Sequence, residues 1–338
     1  MCGLAAKGVP PVGASVRKAD VEKNFKVGIK HHMGTRMDDI IPISICIPCY
    51  NNPAGVKKLL DSILSQTFGT FECIITDDSA DDRTKEVVKP FLADGRFTYV
   101  HNAKALGSPE NWNYCASLAK GAYIKIMHHD DWFSRPNALQ QLYDCAVQSP
   151  GCGFIACGCS NCDTEGKILD AAMPDKRFLA RLAADRAELF YANALRTPST
   201  TLIRRDLFKP FDPKLVWLVD LEQYMRILEA TSLAFLPVSL VNVTASSPDQ
   251  ITRRCEYSLD VNLQEYVYVA NILWGKSVPL RASLHMALVL ARTLAANLYF
   301  LKAPIAMYAL LPLSAGYWGA REVLKRALKW LTAEKQTP

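Results

Sequence analysis

Two acidic pairs close two apolar runs in this chain. His128-His129-Asp130-Asp131-Trp132 follows Ala122-Tyr123-Ile124-Lys125-Ile126-Met127, and Asp77-Asp78 follows Phe71-Glu72-Cys73-Ile74-Ile75-Thr76. Adjacent carboxylates at the end of a buried strand are costly to desolvate unless a positive charge neutralises them. A hard divalent cation does this while sharing its oxygen ligands with a phosphate. In an open α/β sheet, ligands bind at the carboxyl ends of the strands. Both pairs therefore point to one cleft, and their chemistry suits a metal-held nucleotide.

The turn after the first apolar run narrows the choice. It reads Pro48-Cys49-Tyr50-Asn51-Asn52, without the Gly-x-Gly-x-x-Gly that lets a backbone approach a dinucleotide pyrophosphate. A Walker loop is absent too. Side chains and a metal must therefore hold the nucleotide.

The elements that position these residues follow from periodicity. Ile43-Ser44-Ile45-Cys46-Ile47 suits a buried parallel strand, and Val56, Leu59, Leu60, Ile63 and Leu64 recur at helical spacing. Strands are expected at 71–76, 97–100, 122–127 and 153–159, with helices at 83–92 and 136–148. A further helix is capped by Ser108, with Pro109 at its first position and Gly121 beyond its end. Repeated β–α–β units predict a mainly parallel, doubly wound α/β sheet flanked by helices. Beyond 165 the alternation weakens: 178–195 and 218–229 read as helix, 200–203 as extended, and the chain from 259 onward as nearly all helix. Residues 1–40 show no sustained period and read as a poorly ordered extension.

With 338 residues and 50% hydrophobic content, the chain can bury a large core. A net charge of +6 fits an anionic small substrate or a membrane surface as readily as nucleic acid, so it discriminates little. Eleven cysteines and no apolar leader in the first forty residues point to a reducing compartment. Cys152, Cys157, Cys159 and Cys162 lack the two-couplet spacing of a zinc site and fall along an expected strand, which fits small buried thiols.

Five segments in order resemble the family 2 glycosyltransferases of the GT-A fold. They are Ile45-Cys46-Ile47-Pro48-Cys49-Tyr50-Asn51, Ile63-Leu64-Ser65-Gln66-Thr67-Phe68, Asp77-Asp78-Ser79 with Asp81-Asp82, Gly121-Ala122-Tyr123-Ile124, and His129-Asp130-Asp131. The resemblance covers about 42–165 and runs more loosely to about 255. It implies a GT-A domain at 41–255, after the extension at 1–40 and before a helical C-terminal region at 256–338. It places base and ribose contacts on Pro48, Tyr50 and Asp78, Asp130 near the ribose, and Asp131 on a Mg2+ or Mn2+ ion bridging the diphosphate. His129 stands where the family's acidic motif has its first Asp, and is expected to be a packed or solvated side chain. Asn111-Trp112-Asn113 falls where relatives carry an arginine-containing turn, which makes Asn113 a candidate nucleotide contact.

The same resemblance places a general base in Val219-Asp220-Leu221-Glu222, where Val219 replaces the family's Glu and Asp220 takes the base position. Glu222 is its rival, and either carboxylate also suits a helix N-terminus. Transfer of one sugar from a nucleoside diphosphate sugar, UDP in the first instance, to an acceptor hydroxyl with inversion is the implied activity. The Gln-x-x-Arg-Trp signature of processive synthases is absent. Ser247-Pro248-Asp249-Gln250-Ile251-Thr252 resembles a loop that closes over the diphosphate, with Arg253 and Arg254 beside it. A non-catalytic nucleotide- or glycan-binding module on the same fold is the alternative, motivated by Val219 and the altered acidic motif.

A glycan or lipid-linked acceptor is expected, and nucleic acid is not. Residues 303–320 are uncharged but interrupted by Pro304, Pro312, Gly316 and Gly319, which favours a buried hairpin or interfacial segment over a span. The tail at 318–335 sets Val323, Leu324, Ala327, Leu328 and Leu331 against Arg321, Lys325, Arg326 and Lys329. That pattern suits peripheral contact with anionic lipid, and hence a cytoplasmic location at the membrane face.

Overall fold

The computed structural model describes residues 41–245 and 251–300. The readings for 1–40, for the loop through 246–250 and for the segments beyond 300 lie outside these residues.

A nine-stranded mixed sheet forms the centre. In chain order its strands are β1 (Ile43–Cys49), β2 (Phe71–Asp77), β3 (Phe97–His101), β4 (Tyr123–Ile126), β5 (Trp132–Phe133), β6 (Phe154–Cys162), β7 (Ile168–Ala172), β8 (Thr201–Arg204) and β9 (Leu233–Thr244). The spatial order is β3-β2-β1-β4-β8-β6-β9-β5, with β7 beside β6. The first four strands are parallel, Ile45 pairing with Cys73 and Ile43 with Tyr123. β8 lies antiparallel to β4 and β6, β7 is antiparallel to β6, and β5 is antiparallel to β9. β6 and β9 run parallel, and the expected mainly parallel alternation is unbroken in the half that carries the acidic pairs.

The ten helices named here are α1 (Pro53–Leu64), α2 (Arg83–Val88), α3 (Glu110–Ser117), α4 (Ala138–Gln148), α5 (Lys176–Ala184), α6 (Glu188–Tyr191), α7 (Val219–Leu228), α8 (Ile251–Cys255), α9 (Leu259–Trp274) and α10 (Leu280–Phe300). β1 is buried along its whole length and alternates between two cores. Ile43, Ile45 and Ile47 face the α1 side with Leu59, Leu60 and Leu142, while Cys46 faces the other side with Cys115, Phe154 and Tyr224. Burial on both faces is why the strand reads as an unbroken apolar run. α9 and α10 pack on the second core, where Phe190 meets Tyr266 and Trp274 edge-on at 5.4 and 5.1 Å.

Several boundaries move for local reasons. The helix expected at 83–92 stops at Val88 and continues as a 3-10 turn over Lys89–Ala93, because Pro90 has no N–H to extend the α-helical ladder. The helix after Ser108 begins at Glu110 and has no side-chain cap. The stretch at 178–195 divides into α5 and α6, with Asp185 between them in an extended conformation. Cys157, Cys159 and Cys162 lie buried along β6 as free thiols. Among the described residues no cysteine belongs to a metal-type cluster.

Candidate active site

The turn after β2 is built by its own carboxylates. Asp77 is fully buried: its Oδ1 accepts Ser79 N at 2.9 Å and Ser79 Oγ at 2.6 Å, and its Oδ2 accepts Tyr99 OH at 2.8 Å. Ser79 Oγ in turn accepts the backbone N–H of Asn51 at 2.9 Å, fastening the turns after β1 and β2 together. Asp78 reaches the other way. Its oxygens accept Asn102 Nδ2 at 2.7 Å, Leu106 N at 3.1 Å and Gly107 N at 2.8 Å, which closes the loop 102–107 over the strand ends. Pro48 is buried at the β1 exit, and Tyr50, two residues on, is 57% exposed.

Asn113 lies elsewhere. Its amide donates to Phe211 O at 2.8 Å and accepts Phe211 N at 2.7 Å, so both ends are committed to one backbone unit. Asn111, 4% exposed, is the α3 amide that faces the strand ends, donating to Cys49 O at 3.3 Å and accepting from Asn102 Nδ2 at 3.0 Å.

β4 delivers the second acidic pair. Donor atoms of His128, Asp130 and Asp131 all lie within 4.8 Å of one another. Asp131 is 2% exposed, and its Oδ2 is buried with no hydrogen-bond partner. Burial, and then the neighbouring Asp130 charge, hold the Asp131 carboxyl well above the usual range, with partial relief from Ser199, Thr244 and Lys125. Lys125 lies fully buried in β4, bonded through Nζ to Ser199 O, and burial pushes its ammonium down to about 8. Burial likewise pushes His128 down to about 4, leaving its imidazole neutral near pH 7. Two carboxylates, one of them with an orphaned buried oxygen, and one neutral imidazole are a donor set that fits a divalent cation.

His129 stays out of this cluster. Its Nδ1 faces Pro48 O at 3.2 Å. The carbonyl of His129 also crowds the first turn of α1, where a Cβ on Gly55 would come within 2.5 Å of it, so only glycine fits.

Asp220 occupies the first turn of α7. It is half-buried, accepts Asn193 Nδ2 at 2.9 Å on Oδ2 and Leu221 N at 2.8 Å on Oδ1, and burial pushes it up to about 6. Asp220 is in no ion pair among the described residues. Glu222 is: it is 3% exposed and holds Arg226 through Nε at 2.6 Å and Nη2 at 2.7 Å. Val219 is buried in the core, so its position offers the site no carboxylate.

The glycosyl transferase family 2 profile matches residues 44–211. Through this segment the chain belongs to that family. The family 2 segment thus contains both acidic turns, while Asp220 lies just past its end. Among the relatives, Escherichia coli UDP-Glc:alpha-D-GlcNAc-diphosphoundecaprenol beta-1,3-glucosyltransferase WfaP is 31% identical over 101 residues, covering 30% of this chain and 40% of WfaP. Among solved structures, the Pyrobaculum calidifontis mannosyltransferase PcManGT, in complex with GDP-Man and Mn2+, aligns at TM-score 0.54 and 16% identity over 93% of this chain and 94% of that one. S. aureus TarS 1–349 in complex with UDP-GlcNAc aligns at TM-score 0.53 and 18% identity over 80% and 76%. These likenesses show the GT-A fold. The first curated relatives are matched over only 31% and 60% of their length.

The family 2 segment and α7 are joined by residues that the sequence did not single out. In the segment 193–199, Asn193 bonds Asp220, Thr197 Oγ1 meets His128 Nδ1 at 3.2 Å, and Ser199 Oγ accepts the His128 N–H at 2.9 Å. Arg196 sits in this segment with φ +68, its N–H bonded to Asn193 Oδ1 at 3.2 Å. A non-glycine residue held left-handed is costly and clusters at functional sites. Lys125 was visible as a lone charge in an apolar strand. The polar run Arg196-Thr197-Pro198-Ser199 was the only sequence signal for the segment.

Proposed function

We propose that this chain transfers one sugar from a nucleoside diphosphate sugar, UDP foremost, to an acceptor hydroxyl with inversion. The observation that carries the reading is the segment 193–199, which touches Asp220 at one end and the His128-Asp130-Asp131 cluster at the other. On this reading one segment of chain links the donor and acceptor chemistry. Pro48, Tyr50 and Asp78 line the exit of β1 and β2 and are assigned to base and ribose, with Asp130 toward the ribose. Asn113, committed to Phe211, is left out of that assignment, and Asn111 with Asn102 carries the polar wall it was expected to supply.

A divalent cation on Asp131 would neutralise charge gained by the departing diphosphate. Asp220 takes the proton of the acceptor hydroxyl as its oxygen bonds the anomeric carbon, and the diphosphate leaves with the electron pair of the broken C–O bond. A carboxylate raised to about 6 is a better proton acceptor than an ordinary one and is still ionised near neutrality.

The acceptor is assigned to the glycan or lipid-linked class, in line with the diphosphoundecaprenol named in the WfaP relative. Peripheral membrane contact, at the cytoplasmic face, is assigned to the C-terminal helices. On α10, Leu280, Leu284 and Leu288 are 63%, 49% and 64% exposed, one apolar stripe at helical spacing. No helix of the described residues is long and apolar enough to cross a membrane.

Thermal melting with UDP, GDP and Mn2+ or Mg2+ tests the reading. A ligand that binds only the native state raises the melting temperature, so UDP with metal is expected to raise it more than either alone. No rise with any nucleotide–metal pair contradicts the proposal. Stabilisation by UDP with no sugar transferred from any donor favours a non-catalytic binding module.

A further inference from the structure

The two histidines ahead of the carboxylates are held for different purposes. His129 hooks back to Pro48 O at 3.2 Å. His128 is fixed on every side but one. Its backbone N–H donates to Ser199 Oγ at 2.9 Å, its ring lies against Trp112 with centroids 4.6 Å apart, and its Nδ1 meets Thr197 Oγ1 at 3.2 Å. Its Nε2 is buried and has no partner. An unpartnered polar atom in a buried position is costly. Asp131, whose Oδ2 is the other orphan of this turn, belongs to the same cluster.

We propose that His128 binds the divalent cation directly through Nε2, which makes this a mixed nitrogen–oxygen site that selects Mn2+ over Mg2+. The inference rests on the nucleotide-sugar reading for the presence of the cation, and goes beyond it in naming a ligand and a preference. Donors at about 2.1 Å from one ion lie at most about 4.2 Å apart. The observed spread of 4.8 Å needs only a small closure. A metal-bound histidine normally ties its second nitrogen to an outer group that fixes the tautomer, and Thr197 Oγ1 stands at Nδ1 in that role. Mg2+ favours oxygen and sheds water reluctantly, whereas an imidazole nitrogen suits the transition metals. The preference is therefore set by one side chain.

Pulsed electron paramagnetic resonance on the full chain loaded with Mn2+, with UDP and separately with GDP, tests this. The wild-type protein is expected to show nitrogen modulation from a coordinated imidazole. His128→Asp should lose that modulation, and its preference for Mn2+ over Mg2+ in competition titrations should fall at least about tenfold. His128→Asn provides the same loss with a more conservative shape, and the wild-type spectrum decides without any variant. Bound Mn2+ without nitrogen modulation, or an unchanged preference in His128→Asp, overturns the ligand assignment while leaving the nucleotide-sugar reading intact. Wild-type protein that takes up no Mn2+ with either nucleotide overturns both.

Discussion

Glu265 accepts the backbone N–H of Leu218 at 2.8 Å, two residues ahead of Asp220. The same carboxylate takes Val216 N at 2.8 Å and Trp217 N at 3.0 Å. A side chain of α9 thus supplies the cap that α7 lacks locally. Helix starts leave backbone donors without intrahelical partners, and here the N–H of Leu218, at the N-cap, is satisfied from 47 residues away. α9 thereby anchors the backbone that leads into α7, which carries Asp220 in its first turn.

Glu265→Ala should leave those donors unpaired in a largely buried setting. A loss of about 3 kcal/mol is expected from urea unfolding, together with a fall in transfer larger than any fall in UDP affinity. Equal stability and equal transfer would show that the cap is dispensable.

Glu222→Gln should break the bidentate pair with Arg226. Because Glu222 is buried and Arg226 is partly exposed, the cost should lie at the lower end for a buried pair, about 3 kcal/mol. Transfer by the folded protein should stay close to wild type. A dead but stable Glu222→Gln would move the base by two residues.

Asp78→Ala should release the loop 102–107, since both of its oxygens bond that loop or Asn102. UDP affinity should fall by about 1–3 kcal/mol with metal or without it. An unchanged affinity in calorimetry would place the nucleotide elsewhere.

Much of this was legible in the sequence. β2 and β4 are short, buried strands whose apolar runs lead into carboxylates, so the turns that carry the acidic pairs could be placed from pattern alone. Side-chain direction could not. Whether His128 or His129 joins the carboxylates depends on how one turn rotates after β4. Asn111 and Asn113 differ by two helical positions, about 200° around the helix axis, so only one can face the strands. Glu265 and the segment 193–199 act across long sequence separations, which periodicity does not encode. β9 was missed because it shifts register twice against β6 and reads as neither a clean alternation nor an apolar run.

Transfer should depend on pH through Asp220. Burial raises this carboxyl to about 6, and a base must be ionised to accept a proton, so rate should climb with pH and level off above about 6. The same raised value makes the folded chain hold a proton that the unfolded chain has lost, so this group's contribution to stability is present below the unfolded carboxyl range and fades as pH rises through 6. A pH–rate profile flat from 5 to 7 would contradict the role.

The account turns most directly on Asp220→Asn, assayed for UDP release from a panel of UDP-sugars given glycan and lipid-linked acceptors. The substitution keeps size and one acceptor oxygen but removes proton uptake. Stabilisation by UDP with Mn2+ should remain near wild type, while transfer falls about 10²–10⁴-fold. Wild-type transfer by Asp220→Asn would contradict the account.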